Sequence, residues 1–369
     1  MTEPGRWAAM PFHFWSVAAF VFGSVVGSFL NVCIHRVPRG ESIVSPPSHC
    51  PRCGRAIPWY LNVPLVSWVW LRGRCAFCRA PITVRYFLVE LLTAGLFLSC
   101  WLAFGRQSVA LALAYCLMLA GLIVASFVDV EHLIIPDGLT LGGIVAGFLC
   151  SFVAPELHRV DSILESLQQS ALGMITGGGV IYLFLRLGKV LFGRQKLKLP
   201  PDSPVVFTET ALVLPDREIP YEDLFYRKSD AVELHARFAE LADRGYREVP
   251  VRLTQTTLAI GSDRFDTETV PCLEVVTSRV TVPREAMGLG DVKFMAAIGA
   301  FLGWPGVVFS LMTSAMIGSV AGLSLIALRR RAWSSRIPYG PYIALAAMVW
   351  IFARERLLRW WQGFPMLGP

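Results

Sequence analysis

Long apolar runs constrain this chain more than any other feature, because a helix needs about 20 apolar residues to cross a bilayer. Eight such runs are legible, at about 12–34, 86–104, 108–128, 138–154, 169–192, 289–303, 306–328 and 337–353. The fourth and sixth are short and rich in Gly. Composition agrees: 54% of the 369 residues are hydrophobic and 17% are charged, against about 45–50% and about 25% in ordinary soluble domains. That balance excludes a soluble enzyme, a disordered chain and a secreted disulfide scaffold. It predicts an all-α polytopic membrane protein with about eight transmembrane helices. The first run is too long for a signal peptide and leads directly into His35-Arg36, so it reads as a retained span.

Loop charges predict the orientation. Residues 36–85 hold eight arginines (36, 39, 52, 55, 72, 74, 79 and 85) and one acid, Glu41, which places this loop in the cytoplasm. Arg186, Lys189, Arg194, Lys196 and Lys198 close the fifth run, and Arg329, Arg330, Arg331 and Arg336 follow the seventh. Eight alternating spans with the N-terminus outside satisfy these clusters. Arg354, Arg356 and Arg359 then fall on the outer side. Losing one span near the end would remove that misfit.

Five segments result: a first span at 1–34, a cytoplasmic loop at 35–85, spans two to five at 86–193, an insertion at 194–287, and spans six to eight at 288–369. The insertion has ordinary polar composition between 201 and 285 and is expected to form a small α+β cytoplasmic domain. Ala231, Leu234, Phe238 and Leu241 recur at helical spacing, with Asp230 as the N-cap and Glu233 three residues on. Residues 251–254 and 257–260 alternate as strands do.

Of nine cysteines, Cys33, Cys100, Cys116, Cys150 and Cys272 read as buried small hydrophobes. The other four form Cys50-Pro-Arg-Cys53 and Cys75-Ala-Phe-Cys78, separated by 21 residues. Two such pairs can clamp a tetrahedral ion from two sides, the signature of a four-cysteine zinc site. Nearby arginines would favour the thiolates, and a reducing cytoplasm disfavours disulfides. Four sulfur ligands leave no open coordination position, so the metal is expected to be structural. A nucleic-acid-binding ribbon is the other use of such a loop, but membrane orientation and anionic headgroups already account for its arginines.

Ionisable groups at the edge of apolar spans are costly and commonly functional. Asp129 lies in Ser126-Phe-Val-Asp129-Val-Glu131-His-Leu-Ile-Ile-Pro136-Asp137, and Asp291 in Met287-Gly288-Leu289-Gly290-Asp291-Val292-Lys293. The charge pattern puts both at the cytoplasmic face, where a helical bundle can bring them together. Two carboxylates at one site share one proton, so one activates water while the other polarises a peptide carbonyl. Gly288 and Gly290 would let the backbone approach a substrate strand. Turn-flanking and helix-capping roles fit the same aspartates, and a proton-coupled transporter would use similar carboxylates. A zinc-ribbon membrane adaptor without chemistry is a third reading.

Six segments in order resemble the type IV prepilin peptidases (prepilin leader peptidase/N-methyltransferases), which are intramembrane aspartic proteases of the Gly-x-Gly-Asp type. They are Gly27-Ser-Phe-Leu-Asn-Val32 with His35-Arg-Val-Pro-Arg39, the cysteine loop made of Pro47-Ser-His-Cys-Pro-Arg-Cys-Gly54 and Leu71-Arg-Gly-Arg-Cys-Ala-Phe-Cys78, Arg85-Tyr-Phe-Leu-Val-Glu90, the segment bearing Asp129, the segment bearing Gly-Leu-Gly-Asp291, and Ile337-Pro-Tyr-Gly-Pro-Tyr342. The resemblance implies that Asp129 and Asp291 are catalytic. It implies cleavage of the basic leader of prepilins or pseudopilins of type IV pili or type II secretion, at the cytoplasmic side of a bacterial inner membrane. It also implies S-adenosylmethionine-dependent methylation of the new N-terminus, and a lipid bilayer rather than nucleic acid as the surroundings. A peptidase without methyltransferase activity is the alternative. Glu131 and Asp137 are candidate partners for the leader's basic residues. The chain departs from the family pattern at Leu61, where an acid commonly precedes Asn, and at Phe87, where Pro is common. Gly177-Gly-Gly179 reads as close helix packing rather than a nucleotide loop. The insertion before Asp291 is either a gate or assembly-partner site, or a tolerated insertion.

Overall fold

The computed structural model describes residues 11–221, 224–225, 230–241, 244–267, 270, 272–283, 288–328 and 338–362. Arg329, Arg330, Arg331, Arg336, Ile337 and Met287 lie outside the described residues. Two units are distinguished, Met1–Ile181 with Leu289–Pro369, and Tyr182–Gly288.

The helices are α1 (Phe12–Arg36), α2 (Val66–Trp70), α3 (Val84–Phe104), α4 (Val109–His132), α5 (Asp137–Val153), α6 (Ile163–Phe192), α7 (Leu289–Ala327) and α8 (Gly340–Gln362). Among the described residues five are long and apolar enough to cross a membrane: α1, α3, α4, α6 and α7. These five helices and the shorter apolar α5 take in seven of the eight expected spans, and α8 takes in the described part of the last. Two of the expected spans, 289–303 and 306–328, are joined in α7, because only Gly303 and Pro305 separate them. Gly303 breaks the helix (φ 67, ψ 179), and Pro305 lacks the N–H that would continue it.

α4 and α7 are the most buried of the long helices, whereas most residues of α1, α3 and α6 are half-buried or exposed. Close approach of α6 and α7 rests on glycine. A Cβ on Gly299 would lie 2.1 Å from the Gly173 carbonyl oxygen, and one on Gly177 would lie 2.4 Å from that of Met295. The glycine tract is thus partly a packing surface, with Gly179 open. Of the arginines expected on the outer side, Arg354 lies over the Trp350 ring at 5.2 Å and Arg359 Nε donates to the Glu355 carbonyl at 3.3 Å, both within α8.

The second unit is a single antiparallel sheet. Its strands are β1 (Arg194–Phe207), β2 (Ala211–Leu214), β3 (Arg217–Pro220), β4 (Ala231–Leu241), β5 (Arg244–Thr254), β6 (Thr257–Ile260), β7 (Asp263–Asp266) and β8 (Leu273–Pro283), in the order β3-β2-β1-β8-β4-β5-β6-β7. Its core includes Val205, Leu212, Val232, Leu234, Val251, Ile260, Leu273 and Val280. The expected α+β domain is therefore all-β beyond the end of α6, among the described residues, and the helix expected at 231–244 is strand β4. The reason is a change of face. Val232, Leu234 and Ala236 are buried with period two, Arg237 and Phe238 are both exposed, and Ala239 and Leu241 are buried. That one-residue switch puts Leu234, Phe238 and Leu241 at spacings of four and three, which imitate a helix. Glu248, opposite Arg237 in the register, takes φ 49. Asp230 caps no helix; it pairs with Lys189 at 2.6 Å. Of the cysteines expected to be buried, Cys100 and Cys116 are, Cys33 and Cys150 are half-buried, and Cys272 is exposed just before β8.

Candidate active site

α4 stops three residues past Asp129. Leu133 takes a left-handed conformation (φ 56) with its N–H on the Asp129 carbonyl at 2.9 Å, an ordinary helix stop. Pro136 then precedes Asp137, the first residue of α5. The Asp129 side chain is 6% exposed. Its Oδ2 accepts the Gly340 N–H at 2.7 Å and the carboxylate also takes the Tyr339 N–H. Asp129 thus occupies the N-terminus of α8, where free N–H groups and the helix dipole accommodate an anion. A Cβ on Gly340 would lie 2.9 Å from that Oδ2, so only glycine lets the carboxylate reach the backbone.

Asp291 stands half-buried in the first turn of α7. It acts electrostatically on the Tyr339 phenol, whose hydroxyl lies 3.0 Å from Ser314 Oγ. The charge of Asp291 is felt at the Tyr339 phenol, next to the Gly340 amide that holds Asp129. Their flanking segments also touch. A Cβ on Gly290 would meet the Ile135 Cβ and carbonyl oxygen at 3.3 Å, and Lys293 Nζ pairs with Asp137 Oδ1 at 2.7 Å. Glu131 is taken up by Arg85 of α3. Gly288 is exposed beside this cluster.

The four cysteines of the first loop form a second centre. All four sulfurs lie within 4.8 Å of one another, and Cys50 Sγ and Cys78 Sγ are 3.8 Å apart. A tetrahedron with metal–sulfur bonds of about 2.3 Å has edges of about 3.8 Å, so the set can hold a metal such as zinc. Each pair is a tight turn: Cys50 N–H bonds the Arg55 carbonyl at 3.0 Å, and Cys75 N–H that of Ala80 at 2.8 Å. Backbone N–H groups of Cys53 and Arg52 lower the Cys50 thiol, and those of Cys78 and Phe77 hold Cys75 down to about 6. The turns' own amides thus favour the thiolates of Cys50 and Cys75, whereas Cys78, although the Ala80 backbone lowers it, is pushed up to about 11 by desolvation and the neighbouring thiols.

The other motif residues anchor this loop. Arg36 donates to the carbonyls of Ser42 (2.9 Å) and Pro46 (2.6 Å), Asn31 to that of Tyr86 (3.0 Å), and Glu90 Oε2 accepts the Leu65 N–H at 2.7 Å. Sequence reasoning missed Tyr339, Gly340 and Ser314 as site residues. The Pro-Tyr-Gly-Pro segment was the available signal, but its link to a carboxylate 211 positions away is tertiary.

A model described as the type IV leader peptidase family matches residues 116–197 and 238–323, and one described as the bacterial peptidase A24 N-terminal domain matches 21–104. The chain belongs to the type IV leader peptidase family. Asp129 and the Gly-Leu-Gly-Asp segment both fall within the first match, and the four cysteines within the second. Relatives named prepilin leader peptidase/N-methyltransferase match in Myxococcus xanthus, 43% identical over 211 residues, and in Aeromonas hydrophila, 27% over 381. Another in Pseudomonas aeruginosa is 24% identical over 371 residues. The match takes in 52% of this leader peptidase chain and 61% of the Myxococcus relative, 95% of each for the Aeromonas one, and 94% and 93% for the Pseudomonas one. No solved structure matches.

Proposed function

We propose that this chain is a membrane aspartic endopeptidase that cleaves the basic leader from type IV prepilins or pseudopilins, with Asp129 and Asp291 as its catalytic pair. The observation that carries the reading is the contact between the two aspartate-bearing segments, Gly290 against Ile135 and Lys293 paired with Asp137, with Asp129 held by the Gly340 N–H. Two carboxylates facing one site share a proton. The ionised member takes a proton from water as it attacks the scissile carbonyl, and the protonated member donates to the carbonyl oxygen. The pair titrates as a unit, so either residue can fill either role. Gly288 is exposed and leaves room for an extended strand, whereas Gly290 lets α7 close on Ile135. Glu131 and Asp137 hold cations already, Arg85 and Lys293. Exposed pairs of this kind are worth about 0–1 kcal/mol, so a leader carrying several basic residues can exchange with them.

The positive loop charges support a cytoplasmic active site in an inner membrane. The 39 residues of α7 support eight crossings: at 1.5 Å per residue they would extend about 58 Å, nearly twice a hydrocarbon core of about 30 Å. The break at Gly303 supplies the return. α5 and α8 complete the set. On this reading 35–85 is a cytoplasmic zinc loop and 194–287 a cytoplasmic insertion, and the sheet before α7 is where an assembly partner would engage. Zinc held by Cys50, Cys53, Cys75 and Cys78 would supply a cross-link to a loop with little core of its own.

Methylation of the new N-terminus rests on the relatives' double name. Gly173 and Gly177 face α7 carbonyls closely and leave no room there for S-adenosylmethionine, so no methyl-transfer step is derived from them. The test is processing of a co-expressed prepilin, with the mass of the mature N-terminus read out. Asp129→Asn or Asp291→Asn should each slow cleavage by about 10²–10⁴-fold in protein that still folds. Full cleavage by either variant would refute the pair.

A further inference from the structure

Between the two cysteine pairs lies a segment that the metal site does not explain. The Val66 N–H bonds the Pro64 carbonyl at 2.7 Å, which makes Leu65 the centre of a three-residue turn with φ 62 and ψ −50. That conformation is strained for a residue with a Cβ. The Leu65 N–H is held by buried Glu90 of α3 at 2.7 Å. Glu90 stands six residues beyond Val84, about 9 Å along the axis at 1.5 Å per residue. Beside it, the Trp68 and Phe87 rings sit 5.1 Å apart. The hydrogen bond and the ring contact fix α2 alongside the first two turns of a helix long and apolar enough to cross a membrane.

The other side of this segment is bare. Trp59 is 83% exposed and Trp70 82%, and Tyr60, Val66 and Val69 are also exposed. The same end of α3 presents exposed Leu88, Leu91 and Leu92, and Arg72 and Arg74 follow the segment, both exposed. Apolar surface on this scale marks an interaction site. Its depth beside α3 and its chemistry identify the occupant. Trp and Tyr settle where headgroups meet acyl chains, and arginines at that level meet lipid phosphates.

We propose that residues 59–70 form an interfacial membrane anchor. Trp59, Tyr60, Val66, Val69 and Trp70 enter the boundary between headgroups and acyl chains, and Glu90 is the positioning residue that latches them there through Leu65. The latch sets the height of the four-cysteine centre above the bilayer. The inference rests on the membrane placement of α3 and not on the cleavage chemistry.

Fluorescence of the full-length protein in lipid nanodiscs tests it, using phosphatidylcholine brominated near the headgroup or left unbrominated. Difference spectra between the parent and Trp59→Phe or Trp70→Phe isolate each indole. Both difference spectra should lose more than half their intensity to brominated lipid and resist aqueous iodide. Glu90→Leu should release the segment and exchange lipid quenching for iodide quenching. If Glu90→Leu fails to accumulate, the two Phe variants carry the test alone. Quenching of both indoles by iodide and not by brominated lipid would overturn the proposal. So would shielding that develops only on adding a prepilin, which would make the face a substrate surface. Prepilin cleavage measured on the same nanodiscs separates failure of the anchor from failure of the peptidase reading.

Discussion

Gly340→Ala separates positioning of Asp129 from stability. The added Cβ would lie 2.9 Å from Asp129 Oδ2 and 3.3 Å from its Cγ and Cβ. Contacts under about 3.4 Å are repulsive for carbon, so something must move by several tenths of an ångström. What moves is the end of the carboxylate, the softest atom group there, and its 2.7 Å bond to the Gly340 N–H lengthens. A hydrogen bond to a charged group is worth about 1.5–3 kcal/mol. Exchanging Gly for Ala at a helical position returns up to about 1 kcal/mol. Net stability should therefore fall by no more than about 2 kcal/mol, and the thermal midpoint in detergent should shift only slightly. Catalysis should suffer more, because misplacing a reacting group by about 1 Å costs about 10²-fold. A shift of several tenths should lower prepilin cleavage by about 10-fold or more, read as initial rates in reconstituted membranes. Wild-type cleavage with an unchanged midpoint would show that Asp129 does not need the α8 N-terminus, and would refute the argument from geometry.

Cys50→Ser and Cys75→Ser should each lower the metal content measured per protein and lower the thermal midpoint, while the folded remainder still cleaves if the metal is structural. Gly299→Ala should destabilise by about 1–3 kcal/mol or more, because its Cβ would lie 2.1 Å from the Gly173 carbonyl oxygen. Gly179→Ala, inside α6 where nothing lies within 4 Å, should raise stability by up to about 1 kcal/mol. His158, in the loop between α5 and α6, is buried beside Ser151 Oγ at 2.9 Å, and burial pushes it down to about 4. Its folded value lies below an unfolded value of about 6.5, so the unfolded chain binds the extra proton. Stability should then be fully present above pH ~6.5 and fall by up to roughly 3 kcal/mol as the pH drops to ~4. His158→Gln should flatten that part of a midpoint-against-pH curve.

Much of the site was legible because its chemistry needs rare residues in unusual places. Four cysteines in two tight pairs announce a metal whatever surrounds them, and aspartates at the rims of apolar runs are costly enough to be noticed. The insertion was legible as a separate unit but not as a sheet. Its strand β4 changes face at Arg237, and a pattern of period two with one residue of slip cannot be told from a helix by spacing alone. The break at Gly303 was legible even without a polar loop, because a glycine and a proline two residues apart interrupt a helix.

The sequence by itself determined which segments avoid water, where the thiolates gather and which carboxylates stand against an apolar background, because these follow from composition within short windows. Only the tertiary structure decided that Asp129 is held by the first backbone N–H of α8 and that Glu90 holds a strained turn of the cysteine loop. Those bonds join positions far apart in the chain. Their partners are backbone amides that every residue but proline carries, so no residue type announces them. They come into being only when helix ends are packed side by side.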